Sequence, residues 1–294
     1  MSKENIKKKL KNEVVAYLFV SPFVVLASVF MIYPILKGFV TSLYSTKWSV
    51  NVFVGLQNYI DIFSKDVYLL AIRNSLIYVA VVVPLLIIFG IWIAGSVFDK
   101  IPRYVSFVRV CLYIPVIASM VVMSIIWRYI LDSQTGLVKY FSMLLGGESV
   151  NLLASRTSAI ILVIIILFTM NIGQAVLLYI ADMLGISREL IEAATIDGAN
   201  RLNLFRYILI PLTKPTTIFV FITQTSAVLK VFIVIQLLTK GGPNYGTTSM
   251  MYLLYQEAFE NSNTGAACAL GVLLFLISLI LVTARFIVDR KGKE

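Results

Sequence analysis

The chain has 294 residues, 59% of them hydrophobic and only 14% charged, with a net charge of +10. A soluble domain carries about a quarter charged residues, so apolar windows this poor in charge mark a polytopic membrane protein. With no histidine and two cysteines, Cys111 and Cys268, both inside apolar windows, metal, redox and membrane-embedded enzyme chemistry lack their usual groups, and the basic residues flank apolar runs rather than forming a nucleic-acid surface.

Residues 1–13 carry Lys3, Lys7, Lys8, Lys9 and Lys11 and no small-residue cleavage site follows the first apolar run, so a basic segment before an uncleaved span is expected. A spanning helix needs roughly 20 mostly apolar residues. Windows 14–36, 74–98, 107–128, 157–181, 212–239 and 265–288 meet this, and lipid cannot satisfy free backbone groups, so each window is expected to be helical. The fold class is therefore all-α, a six-span membrane protein, with residues 14–288 as one domain and 289–294 as a tail. Pro84 and Pro115 fall inside the second and third windows, where mild kinks are expected.

Loops 99–109, 182–214 and 285–294, together with 1–13, hold most of the basic residues, among them Lys100, Arg103, Arg109, Arg188, Arg201, Arg206, Lys214, Arg285, Arg290, Lys291 and Lys293. The positive-inside rule then puts both termini in the cytoplasm. The opposite side has two sizeable loops, 37–73 and 129–156, expected to form short capping helices; the first contains Trp48, Phe53, Tyr59 and Phe63. Gly241, Gly242, Pro243, Asn244, Tyr245 and Gly246 read as a turn, and residues 247–259 as a helix leading to the last span.

Loop 182–214 is longer than a connector requires. Ser187 is placed to cap a short helix, and Glu189 and Glu192 suit its positive end. Ala194 and Gly198 are one turn apart, beside the row of Ala193 and Asp197, so small side chains share a face that another backbone can approach. Gly198 can end this helix, Asn200 can cap the next, and Pro211 falls at the start of the fifth span. The result is a helix–turn–helix lying across the cytoplasmic face. It reads either as a docking surface or as an amphipathic loop helix resting on the bundle.

Lys230 lies near the middle of the fifth window, where a charge is expensive unless it faces water or a partner. Thr223 and Lys230 fall on one side of that helix, with Gln224, Ser226 and the outer Gln236 as further polar groups. In the fourth window Asn171 and Gln174 are neighbours. These groups either line a pathway for a hydroxylated substrate or bond between helices.

No Gly-x-x-x-x-Gly-Lys-Ser/Thr loop occurs in the sequence, so the chain is not expected to hydrolyse ATP itself. A secondary transporter or channel would leave the docking segment unexplained.

Glu192, Ala193 and Ala194, then Asp197, Gly198 and Ala199, then Ile210 and Pro211, resemble the EAA signature of permease subunits of binding-protein-dependent ABC importers. Three further segments resemble the carbohydrate branch of that family, the maltose and glycerol-phosphate or MalF-like type. They are Ser21, Pro22 and Phe23 with Tyr33 and Pro34; Gly55, Leu56, Gln57, Asn58 and Tyr59 with Arg73, Asn74 and Ser75; and Thr239, Lys240, Gly241, Gly242, Pro243 and Asn244. The resemblance covers nearly the whole chain. Phe168 to Gly173 departs from it, lacking the family's usual tryptophan.

The resemblance implies a type I importer permease fold in a bacterial cell membrane, with loop 182–211 as the coupling segment. Glu192, Ala193, Ala194, Asp197 and Gly198 would meet the ATPase. The implied partners are a second homologous permease, two ATP-binding cassette ATPases that carry ATP and Mg, and an extracytoplasmic solute-binding protein; no cofactor is held by this chain. The implied substrate is a sugar or short oligosaccharide, with an acidic saccharide, an amino sugar or a glycerol-phosphate-type ligand as the alternative. The family often has an amide near position 230, and a lysine there favours a carboxylate or phosphate on the ligand.

Overall fold

The computed structural model describes residues 17–45, 51–146 and 151–291; the basic stretch 1–13, the start of the first window and Trp48 lie outside them. Five helices are long and apolar enough to cross a membrane, and a bent helix pair makes a sixth candidate.

The first, α1 (Tyr17–Thr41), passes through a π turn at Ser28–Ile32 and buries none of its residues. It packs on the last helix, with Phe39 meeting Phe275 edge-on at 6.3 Å between ring centroids. After it come a two-residue antiparallel bridge, β1 (Tyr44–Ser45) with β2 (Val52–Phe53), and the capping helix α2 (Gln57–Ser64). Asn58 ties these together by donating from Nδ2 to the carbonyls of Ser42 and Tyr44.

α3 (Asp66–Val97) runs unbroken through Pro84. The third window does not form one continuous helix. α4 (Pro102–Ile117) stops two residues after Pro115, and α5 (Met120–Ile130) leaves at 95°. Ala118 and Ser119 are extended, and the Ser119 hydroxyl accepts from the Val122 N–H to cap α5. The mild kink expected at Pro115 is thus a full break, because an apolar window reports hydropathy and not helical continuity.

α6 (Leu137–Leu144) packs on α5, and α7 (Arg156–Leu184) follows. α8 (Arg188–Ile196) is followed by α9 (Arg201–Leu204), which continues through a π turn at Phe205–Leu209 into Ile210–Leu212. The fifth window is also broken. α10 (Lys214–Leu229) ends at Lys230, Phe232 has φ −135° and ψ −58°, and α11 (Ile233–Leu238) restarts beyond it. α12 (Met250–Tyr255) extends through a π turn at Gln256–Glu260, and α13 (Thr264–Lys291) closes the chain.

α3, α7 and α10 form the centre, α4 packs on α7, and the two post-break helices α5 and α11 pack on each other. Apolar side chains gain little by leaving lipid for one another, so close approach at small residues carries much of the packing. Gly90 faces the Tyr179 ring, Gly95 faces Phe205 and Gly173 faces the Leu112 backbone. Tyr179, fully buried, also donates from its hydroxyl to Thr217 Oγ1 at 3.1 Å, joining α7 to α10.

Candidate functional site

The sequence-derived site residues fall into two places. The first is α8. Ser187 caps it by accepting from the Leu190 N–H, and Asn200 caps α9 by accepting from the Asn203 N–H at 2.8 Å. Between the helices Gly198 takes φ +86°. The Gly198 N–H donates to the Thr195 carbonyl and the Ala199 N–H to the Ala194 carbonyl, a Schellman closure in which a left-handed residue satisfies the last carbonyls of the helix.

Glu192, Ala193, Asp197 and Gly198 are exposed, while Ala194 is half-buried against the core. Ala194 therefore seats the helix on the bundle and does not share the outward patch with Gly198. Ile196, 86% exposed at the tip of α8, stands out instead. Its helical register gave no hint of this, because the last turn of α8 projects past the bundle.

The second place is the break after α10. Lys230 is exposed at the C-cap of that helix. Gln224, 1% exposed, donates from Nε2 to Gln174 Oε1 at 3.3 Å, so the structure brings these two amides together across α7 and α10. Among the described residues, Gln224 Oε1 itself, the Thr225 hydroxyl and Gln236 Oε1 are buried without a hydrogen-bond partner. A buried acceptor left unpaired costs about 1–3 kcal/mol, so these atoms call for water, a ligand or another subunit.

Asn171 and Thr223 behave differently. Asn171 donates to the Leu167 carbonyl and Thr223 to those of Phe219 and Val220, all on their own helices. Ser226 is half-buried. Thr225 was not singled out by sequence; its 0% exposure and unpaired hydroxyl become visible only once α10 is packed.

On the face away from α8, the 239–249 turn is clamped from two spans. Asn74 Nδ2 donates to the carbonyls of Gly246 at 2.9 Å and Thr248 at 3.0 Å, and the Tyr78 hydroxyl donates to that of Thr247. Ser75 Oγ accepts from the Met250 N–H, and Ser249 Oγ donates to the Val231 carbonyl at the break. The same turn is thus tied to both α3 and the Lys230 break. Beside it lies a polar cavity of about 510 Å³, lined among others by Asp61, Tyr68, Glu257 and Asn263. Glu257, 8% exposed, accepts from the Tyr68 hydroxyl at 2.8 Å and from the amides of Asn261 and Asn263. Among the described residues no group of three metal-ligating side chains occurs.

Residues 86–293 match the family described as "Binding-protein-dependent transport system inner membrane component". The chain is 28% identical over 291 residues to the "Probable ABC transporter permease protein YurN" of Bacillus subtilis, covering 97% of this chain and 99% of that protein. It is 29% identical to the "Lactose transport system permease protein LacF" of Rhizobium radiobacter, covering 96% of each. Its fold is shared with a chain of the solved structure described as "Crystal structure of bacterial alginate ABC transporter in complex with alginate pentasaccharide-bound periplasmic protein", with a TM-score of 0.82, 21% identity and 94% of each chain covered.

Proposed function

The chain belongs to this family of binding-protein-dependent transport system inner membrane components, and on that premise we propose that it is the permease subunit of an ATP-driven importer for a sugar or short oligosaccharide. The single observation that carries the reading is α8. A capped helix that ends in a glycine turn and presents Glu192, Ala193 and Ile196 outward has the form of a lever for a partner. In this reading α8 lies in the cytoplasm with both termini, and an ATPase grips Glu192, Ala193, Asp197 and Gly198.

The sequence has no phosphate loop, so ATP and Mg belong to two partner ATPases and the chain itself is not an enzyme. A second permease completes the pathway and covers surface that is bare in the lone chain. An extracytoplasmic binding protein delivers substrate to the face that bears the clamped turn and the Glu257 cavity. Alternating access follows if nucleotide and loaded binding protein both favour the outward-open arrangement. The sugar assignment is supported by the lactose permease relative, and binding-protein delivery by the alginate transporter complex with its periplasmic protein.

Lys230, Gln174, Gln224, Asn171, Thr223 and Ser226 line the pathway in this reading. One observation favours an acidic saccharide over a neutral one: Lys230 is an exposed cation at a helix break inside a span.

Gentle detergent purification from cells expressing the whole transporter tests the function. Co-purification of an ATPase, with hydrolysis stimulated by the loaded binding protein, is expected. A chain that transports in vesicles with no ATPase present would overturn the reading.

A further inference from the structure

On the α8 face, a cavity of about 610 Å³ opens between the α3–α4 connection, α4 and α8. Three cations line it from three separate elements: Lys100 from the connection, Arg109 from α4 and Arg188 from α8. Asp99 and Glu192 line it too, yet among the described residues none of these five forms an ion pair. The Nε of Arg109 is buried and has no hydrogen-bond partner among the described residues. Guanidinium groups pair best with an anionic oxygen, so an anion suits the Arg109 and Arg188 side chains that line this cavity.

The surroundings restrict which anion fits. Ile101 and Leu184 line the same cavity and are 69% and 58% exposed. They stand at the ends of spanning helices, where apolar surface gives way to charge. A ligand here has an anionic head among the arginines and apolar chains running down the helix surface beside α4, where Phe107 and Val110 are exposed. Three cations and two carboxylates leave the cavity one net positive charge.

We propose that this cavity binds the phosphodiester headgroup of a singly anionic membrane phospholipid. The phosphate oxygens accept from Arg109 and Arg188, with Lys100 as a third positive charge, and a hydroxyl of a glycerol headgroup donates to Asp99. Choline gives that carboxylate no donor, and ethanolamine leaves the cavity's positive charge unbalanced. Arg188 and Glu192 are residues of α8, so an occupied site braces that helix against the bundle. That consequence rests on the coupling role proposed above; the binding itself does not.

The test is lipid retention by the full chain, purified with its partner subunits from vesicles of phosphatidylcholine and phosphatidylglycerol in equal amounts and read by native mass spectrometry. Preferential retention of phosphatidylglycerol is expected. Arg109→Gln should lower it about fivefold, the weight of one cation at an anionic headgroup. Arg188→Gln, on a surface helix, should do the same and serves if Arg109→Gln does not fold. Lys139→Gln, on the far face, should change nothing. Equal retention of both lipids, or unchanged retention in Arg109→Gln and Arg188→Gln, would overturn the proposal. So would inorganic phosphate raising the unfolding temperature as much as phosphatidylglycerol does, which would make the ligand a free anion, or exclusion of the lipid by the bound ATPase, which would make the cavity part of a protein interface. Lost transport with retention intact would speak against the coupling role alone.

Discussion

Asn74 holds Gly246 across 172 residues of sequence, its amide nitrogen donating to the Gly246 carbonyl at 2.9 Å in a buried contact. The same nitrogen reaches the Thr248 carbonyl, so one side chain fixes the closing limb of the turn that follows the fifth span. Asn74→Ala leaves two buried acceptors unpaired, at about 1–3 kcal/mol each. Thermal unfolding in detergent should show a clearly lowered midpoint. Asn74→Asp should be at least as damaging, because a carboxylate offers no N–H to a carbonyl. A wild-type midpoint for Asn74→Ala would mean that the turn is held elsewhere.

The apolar windows located every span, because length and hydropathy are the properties that a bilayer selects. They missed both breaks. Ala118 and Ser119 lie in a run as apolar as any helix, and the residues around Lys230 continue the helical pattern on both sides; the helices that restart beyond the two breaks, α5 and α11, pack on each other. The caps Ser187 and Asn200 and the glycine stop at Gly198 were legible, since capping is local chemistry. The pairing of Gln174 with Gln224 and the clamp by Asn74 were not, because each joins residues on different spans. The Asn171 amide nitrogen and the Thr223 hydroxyl donate to carbonyls of their own helices, a local bond that composition does not reveal.

Gly173 is where α4 and α7 touch. A Cβ there would run into the Leu112 carbonyl, which is backbone and cannot swing aside. In an open helix Gly→Ala stabilises by up to about 1 kcal/mol. Here overpacking reverses the sign, and Gly173→Ala should cost about 1–3 kcal/mol. Gly271→Ala is the control, since its Cβ would make only an ordinary 3.5 Å contact with Leu254. Unfolding midpoints that move the same way in both variants would refute the close approach of α4 and α7.

Gly198 separates backbone strain from contact. Its added Cβ would meet nothing within 4 Å, so Gly198→Ala pays only for the left-handed backbone, about 1 kcal/mol. Gly198→Trp pays a similar local cost and adds bulk to the surface that the proposed ATPase grips. Uptake should therefore fall modestly in the alanine variant and be abolished in the tryptophan variant, while the binding protein still holds its ligand. Normal uptake by Gly198→Trp would refute the coupling role.

Lys230 offers the sharpest test of substrate chemistry, because it is exposed at a break and has no ion-pair partner among the described residues. A charge-assisted hydrogen bond to a ligand carboxylate is worth about 1.5–3 kcal/mol, a factor of about 10 to 150 in affinity. Lys230→Gln should reduce uptake of a uronate oligosaccharide at least tenfold relative to its neutral counterpart, and Lys230→Arg should keep most of the preference. Competition uptake into vesicles with one acidic and one neutral labelled ligand measures the ratio directly. A ratio unchanged in Lys230→Gln would place the lysine outside substrate contact and return the pathway to the Gln174 and Gln224 amides, which discriminate hydroxyls but not charge.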